Sequence, residues 1–335
     1  MVTIYDIAKQ ANVSAMTVSK VINNTGRISE ATRNKVKKII EETHYVQNAM
    51  ARSLVLQETK ILSLLITDIT NPFFTTLARG AEDTAKRFGY KLLFGNSDED
   101  YVKEKDYVEM IVSTRVDGVL FAPAGDQSVK HLQILEKHKI PFVLLDREVP
   151  FIQADTVLGD SKEGAKQLVE YLVSLSHKRI ALLNGSTDVS TARQRHLGYA
   201  EALKLNGIEP DEHLIFNLNY KSIQHKAIID ELLALSNPPT AIFAANNFLA
   251  IDAIRILRGL GLRVPEDISL VCFDDLGFAS ELDPFLTVAA QPAYNFGSLG
   301  MQLLIERIQG RSSTQWNKIL LPSQLLIRKS AHPLL

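Results

Sequence analysis

The sequence has one cysteine, one tryptophan and no apolar run long enough to cross a membrane. A single thiol, Cys272, excludes any disulfide within the chain, and its place in the apolar run ISLVCFDD suits a buried strand residue better than a nucleophile or metal ligand. The first residues, MVTIYDIAKQ, contain no basic segment followed by an apolar stretch and a small-residue cleavage site, so a secretory signal is not expected and a cytoplasmic location is. Also missing are a G-x-G-x-x-G after a strand, a phosphate-binding loop, a G-x-S-x-G elbow and a paired-histidine metal motif. Without these the chain is not expected to be an enzyme, and neither a metal nor a cofactor is called for.

What remains is 335 residues at a formal charge of -1, enough for two or three packed units. The near-neutral total hides an asymmetry. Residues 1–58 carry eight Lys and Arg against five Asp and Glu, a small basic excess that is weak evidence for nucleic acid by itself. Helical spacing says more. Thr3 stands three residues before Asp6, the arrangement that caps a helix start, and Ile7, Ala8 and Ala11 continue an apolar stripe. Asn12-Val13 turns the chain, and Ser14 is a natural cap for a second helix that turns Val18, Val21 and Ile22 inward. After the break at Asn23-Asn24-Thr25-Gly26, Ser29 starts a third helix through Glu42, with Val36, Ile39 and Ile40 at core spacing.

Three short helices in this order make a helix-turn-helix unit, whose second helix offers its N-terminal outward residues to the major groove. Those residues are Ala15, Met16, Thr17, Ser19 and Lys20. Hydroxyls and an ammonium can bond phosphates or base edges, and Ala15 and Met16 can meet a thymine methyl. The next segment, Asn48 to Leu54 (NAMARSL), is helix-permissive but too short to be stable alone in water.

From Lys60 onward, apolar runs such as ILSLLITDI, YKLLFGN, GVLFAPA and PFVLLDR alternate with amphipathic stretches, and a second series (RIALLNG, TAIFAAN, ISLVCFDD) begins at Arg179. Such alternation predicts two doubly wound parallel-sheet α/β subdomains with helices on both faces. Ligands bind beyond the carboxyl ends of strands in these folds, so the residues there are candidates: Asp68 to Phe74, Asp146, Arg147, Asp160, Arg193, Asn246, Asp274 and Gln291. Carboxylates, guanidinium groups and amides suit a hydroxyl-rich ligand, with Phe73 or Phe74 stacked on its apolar face. Each has a plainer reading too. Asn71 before Pro72 is also a good helix start, and Asp274 could merely cap a turn.

TIYDIAKQANVSAMTVSKVINN and NAMARSL resemble the head and hinge of the LacI family of transcription regulators. The resemblance implies a homodimer on a pseudo-palindromic operator, with paired hinge helices that press a leucine, here Leu54, into the minor groove. The DNA-contacting set it implies is Thr3, Ser14, Ala15, Met16, Thr17, Ser19, Lys20, Asn23, Arg27, Asn48, Ala51, Arg52 and Leu54. Gln47 stands where many members have proline. The core resembles periplasmic sugar-binding proteins over residues 61 to 325, which implies a sugar effector, a pentose or related monosaccharide, held by Asn71, Phe73, Phe74, Asp146, Arg147, Arg193, Tyr220, Asn246, Asp274 and Gln291. Ala122 and Asn247 depart from the ribose-binding pattern, which often has an amide at the first and an aspartate at the second. The expected division is a helix-turn-helix domain at 1–46, a hinge at 47–59 and a core at 60–335, its N-subdomain at 60–160 and 291–320 and its C-subdomain at 161–290 and 321–335. Two alternatives are a catabolite-control regulator that uses a phosphorylated protein corepressor, and a sugar-binding receptor without a regulatory role. The C-terminal RKSAHPLL has no leucine-heptad extension, so a dimer is expected rather than a tetramer.

Overall fold

The computed structural model describes residues 2–45, 58–218 and 225–334. The chain divides into two compact units, Met1–Thr59 and Lys60–Leu335. In the first, α1 (Ile4–Ala11) begins at Thr3, whose hydroxyl accepts the Asp6 amide while Asp6 returns a bond to the Thr3 amide at 2.8 Å. It stops where Asn12 turns left-handed (φ 54°). Ser14 caps α2 (Ala15–Ile22) by accepting the Thr17 amide at 3.1 Å, and Ser29 caps α3 (Glu30–Glu42) through Thr32. Ile7, Ala8, Ala11, Val18, Val21 and Val36 form the buried centre of this unit, the stripe the spacing predicts.

The second unit is built from two six-stranded sheets. The first contains β1 (Ile61–Ile66), β2 (Lys91–Asn96), β3 (Gly118–Phe121), β4 (Phe142–Leu145), β5 (Asp155–Gly159) and β11 (Lys318–Leu321), in the order β11-β5-β4-β3-β1-β2. The second contains β6 (Ile180–Asn184), β7 (Ile215–Asn217), β8 (Ala241–Ala244), β9 (Ser269–Phe273), β10 (Thr287–Ala290) and β12 (Gln324–Leu326), in the order β12-β10-β9-β8-β6-β7. Among the described residues all pairings are parallel except that of β12 with β10. The chain passes between the sheets after β5, after β10 and after β11.

Between the strands run α4 (Pro72–Arg87), α5 (Tyr101–Thr114), α6 (Val129–Lys137), α7 (Ser161–Ser174), α8 (Ser190–Leu205), α9 (His225–Ala234), α10 (Asn247–Gly259), the short α11 (Phe278–Leu282) and α12 (Ala293–Ile308). The central strands are buried on both faces because helices cover each side, so they read as continuous apolar runs instead of alternating ones. Cys272 lies in β9 with no exposure, and burial pushes its thiol well up. It is a packing residue. No described helix is long and apolar enough to cross a membrane.

Candidate functional site

In the head, α2 presents Met16 (68% exposed) and Lys20 on its outer side, while Val18 and Val21 are buried. Ala15 is half-buried and packs on the head core with Val13, so it has less free surface than an outward position implies. Thr17 and Ser19 are also half-buried: the Thr17 hydroxyl pairs with that of Ser14 at 2.9 Å, and Ser19 accepts from the Asn23 amide at 3.3 Å. The Thr3 hydroxyl donates to Asp6 at 2.7 Å, and these bonds to Thr3 hold the Asp6 carboxyl below its ordinary range. Arg27 is exposed. Tyr5, which the sequence reading passed over, is 73% exposed on α1. Its signal was available, since Ile4, Ile7, Ala8 and Ala11 all turn inward and leave Tyr5 outside the stripe. Asn48, Ala51, Arg52 and Leu54 lie outside the described residues.

In the core, the strand ends of both sheets converge on one cavity lined by Asp68, Asn71, Phe73, Phe74, Glu99, Asp146, Arg147, Thr191, Arg195, Asn246, Phe248 and Asp274. The sequence-predicted Asn71, Phe73, Phe74, Asp146, Arg147, Asn246 and Asp274 are therefore brought together. Asn71 and Asn246 play both roles weighed for Asn71: each lines the cavity and caps a helix, Asn71 through the Phe73 amide at 3.0 Å and Asn246 through that of Leu249 at 2.8 Å. Asp146 and Asp274 end strands in opposite lobes, both left-handed, with φ of 65° and 70°. Such a conformation is uncommon outside glycine, and aspartate is among the residues that tolerate it.

Arg193 is a correction. It does not line this cavity. It bridges the lobes instead, donating to both carboxylate oxygens of Asp126 at 2.9 and 3.0 Å and to the Thr187 carbonyl at 2.6 Å. The pocket cation from this helix is Arg195, only 5% exposed, because residues two apart on a helix point to nearly opposite sides whereas Thr191 and Arg195, four apart, share one. Arg195 donates to the Ala245 carbonyl at 2.5 Å, stacks its guanidinium 3.9 Å above the Phe273 ring and approaches Asp274 at 3.6 Å. Gln291 stands behind the pocket and donates to Asp274 at 2.8 Å. Tyr220 lies outside the described residues.

Arg147 is held by the carbonyls of Pro123 and Ala124, both at 3.1 Å, and by Glu99 at 2.6 Å. Burial raises the carboxyl pKa of Asp146 and of Asp274, opposed by Arg147 and Arg195 at the first and by Arg195 and the Gln291 hydrogen bond at the second. A raised carboxyl favours the folded state below its unfolded value of about 3.9 and loses that advantage as pH rises through the folded pKa. At neutral pH these two groups therefore work against folding, and ligand hydroxyls bonded to them would offset the cost. Among the described residues, the buried Arg195 Nε has no hydrogen-bond partner, nor has the buried Gln291 Oε1.

The free space in the cavity is about 30 Å³, room for about two water molecules, so a monosaccharide enters only if the lobes part or side chains move. Bonds between the lobes hold this arrangement. Asn247, the departure noted in the sequence, donates to Asn71 at 3.0 Å, the Asp126 amide donates to the Asp188 carbonyl at 3.0 Å, and the Glu148 amide donates to the Ser190 hydroxyl at 3.0 Å. A roomier cavity of about 440 Å³ opens alongside, lined by Glu99, Tyr101, Asp126, Asp188 and Asn217 among others.

Residues 3–48 match the model of bacterial regulatory proteins of the lacI family, and residues 169–331 match a periplasmic binding protein-like domain. The transcriptional regulator DegA of Bacillus subtilis is 35% identical over 334 residues, covering 99% of this chain and 98% of its own. The chain belongs to the LacI family. It is a DNA-binding transcription regulator with the expected fold: a helical head and a core of two parallel-sheet lobes. Among solved LacI-family structures, the Lac repressor dimer bound to operator and an anti-inducer is 27% identical over 99% of both chains, with a TM-score of 0.84. A LacI family regulator from Enterococcus faecium with bound ribose is 30% identical, covering 82% of this chain and all of its own, with a TM-score of 0.72.

Proposed function

We propose that this LacI-family chain is a cytoplasmic repressor that binds a pseudo-palindromic operator as a homodimer and responds to an uncharged monosaccharide, a pentose or close relative, held between its lobes. It binds its effector without chemical change. The observation that carries the reading is the pairing of Asp146 and Arg147 from one lobe with Arg195 and Asp274 from the other around one cavity. Carboxylates that accept and guanidinium groups that donate in a fixed fork match the hydroxyls of a sugar from both sides. The ribose-bound relative supports the ligand class, and the operator-bound Lac repressor dimer supports the partner. Exposed apolar side chains favour self-association: Leu93 and Phe94 lie on edge strand β2, and Phe278 and Leu282 are 92% and 90% exposed on α11.

Selection of binding sites from random DNA, followed by titration with and without D-ribose, tests the whole reading. The expected result is a two-fold symmetric site whose affinity D-ribose changes, together with a rise in the core's melting temperature. At a ligand concentration of 100 Kd the stabilisation is about 2.7 kcal/mol. Asymmetric sites, or a melting temperature that no neutral sugar moves, would overturn it.

Within the head, Lys20→Ala is expected to weaken operator binding by roughly 1–3 kcal/mol and relax one base position if Lys20 reads a base edge. If Lys20 meets a phosphate, the variant instead lowers the salt slope by about one without changing base preference. Titrations at several salt concentrations on matched and mismatched operators separate the two, and an unchanged result in both removes Lys20 from the interface.

A further inference from the structure

We propose that Glu104 is a positioning residue for the effector pocket: buried behind the loop 122–126, it fixes that loop through the Ala124 amide, so that the loop's carbonyls hold Arg147 and its Asp126 clasps the opposite lobe. The proposal rests on the placing of Arg147 in the pocket.

Glu104, on α5, has no exposure, and His131, on α6, has almost none. One Glu104 carboxylate oxygen lies 2.6 Å from His131 Nδ1, and the other accepts the Ala124 amide at 2.7 Å. One face of the imidazole is covered too, since its ring stacks on Tyr101 with 4.1 Å between centroids. Two apolar side chains would fill this space without the desolvation a buried carboxylate suffers, so packing alone gives no reason for the pair. The loop gives one.

Residues 122–125 follow β3 outside any helix or strand, so their backbone groups need partners elsewhere. Ala122 donates to Leu65 of β1 at 2.8 Å, Pro123 has no amide hydrogen, Ala124 donates to Glu104, and the Asp126 amide crosses to Asp188 in the other lobe at 3.0 Å. With its amide side anchored on Glu104, the loop turns the Pro123 and Ala124 carbonyls onto one Arg147 nitrogen, both at 3.1 Å. Two residues later, the Asp126 carboxylate takes both nitrogens of Arg193 from the C-terminal lobe. One buried carboxylate thus stands behind both the pocket guanidinium and the bridge between the lobes.

The experiment uses the full chain and D-ribose as probe. Glu104→Leu is combined with His131→Leu so that neither group is left buried without its partner, and Glu104→Gln retains an oxygen for the Ala124 amide. Calorimetry is expected to show the leucine pair binding D-ribose at least roughly tenfold more weakly than the parent, and Glu104→Gln within about threefold of it, while operator affinity without sugar stays the same. Because Glu104 acts mainly through Arg147, adding Arg147→Ala to the leucine pair should weaken binding no further than Arg147→Ala does alone, apart from at most about fivefold for the loosened Asp126–Arg193 bridge. Hydrogen exchange in 122–126 should quicken in the leucine pair and not elsewhere in the lobe, a local change that general loss of packing would not produce. Parent-like binding by the leucine pair, or losses that multiply with Arg147→Ala, would overturn the proposal. If the leucine pair does not fold, the parent decides: D-ribose must slow exchange in 122–126, and unchanged exchange there sinks the idea. A parent that does not bind D-ribose, or an Arg147→Ala chain that binds it normally, removes the pocket assignment itself and the proposal with it, an outcome distinct from failure at Glu104 alone.

Discussion

Arg195→Ala is expected to cost roughly two orders of magnitude or more in affinity for a neutral monosaccharide, while Arg193→Ala, two residues away, changes direct ligand contact little. Arg195 is buried against the Phe273 ring and tied to the Ala245 carbonyl, and it is the cation nearest Asp274. Removing one partner of a buried charge pair costs about 3–5 kcal/mol, because the other charge stays behind uncompensated. At 1.4 kcal/mol per decade, even the lower figure is about a hundredfold when it falls on a binding step. There is a second loss. Arg195 opposes the upward push that burial exerts on the Asp274 carboxyl, so without it Asp274 shifts further toward its protonated form and accepts ligand hydroxyls less well. Arg193, by contrast, is 38% exposed and its pairing with Asp126 is screened by solvent, a kind of bridge worth about 1 kcal/mol or less. Calorimetry with D-ribose on both variants compares them directly. Equal losses in the two, or a larger one in Arg193→Ala, would show that the pocket cation has been misassigned.

This contrast marks the border of what the sequence discloses. Helix caps such as Thr3 with Asp6, and apolar runs such as GVLF, are local, so spacing alone locates the elements and their order. The ends of β1, β4, β8 and β9 are legible in the same way, and they carry Asn71, Asp146, Asn246 and Asp274, which the structure brings to one cavity. Arg193 follows a strand in the sequence, but which arginine of ARQR faces the cleft depends on the phase of α8. The four-residue spacing of Thr191 and Arg195 carried that information. Other features have no local signal. The bond between Asn71 and Asn247, 176 residues apart, exists only when the lobes meet, and the meeting of Glu104 with His131 and Ala124 depends on how two helices and a loop pack.

Gly297→Ala is expected to destabilise the core by about 3 kcal/mol or more and to weaken effector binding, although the residue touches no ligand candidate across the cleft. α4 and α12 cross with their backbones in contact. A Cβ on Gly297 would stand 1.9 Å from the Leu77 carbonyl oxygen and 2.7 Å from the Ala81 nitrogen, and one on Gly80 would stand 2.1 Å from the Tyr294 oxygen. Those neighbours are main-chain atoms of packed helices, which cannot swing aside as a flexible side chain would. Overpacking usually costs 1–3 kcal/mol when side chains absorb the strain, so a backbone clash belongs at or above the top of that range, and the gain of up to about 1 kcal/mol from replacing a helical glycine by alanine does not offset it. The consequence for function follows from what α4 carries. Its first turn presents Phe73 and Phe74 to the pocket, Phe73 packs edge-on against Phe296 at 5.2 Å between centroids, and α12 begins two residues after Gln291. Forcing the helices apart moves that wall of the pocket. At somewhat under about 2 °C per kcal/mol for a unit of this size, the core transition should fall by roughly 5 °C or more in scanning calorimetry. Gly259→Ala is the control, at the end of α10, where nothing lies within 4 Å of the added carbon, and it should leave the transition unchanged or raise it slightly. A Gly297→Ala chain that melts with the parent would mean that the two helices can separate without cost, and that their crossing does not set the position of Phe73 and Phe74.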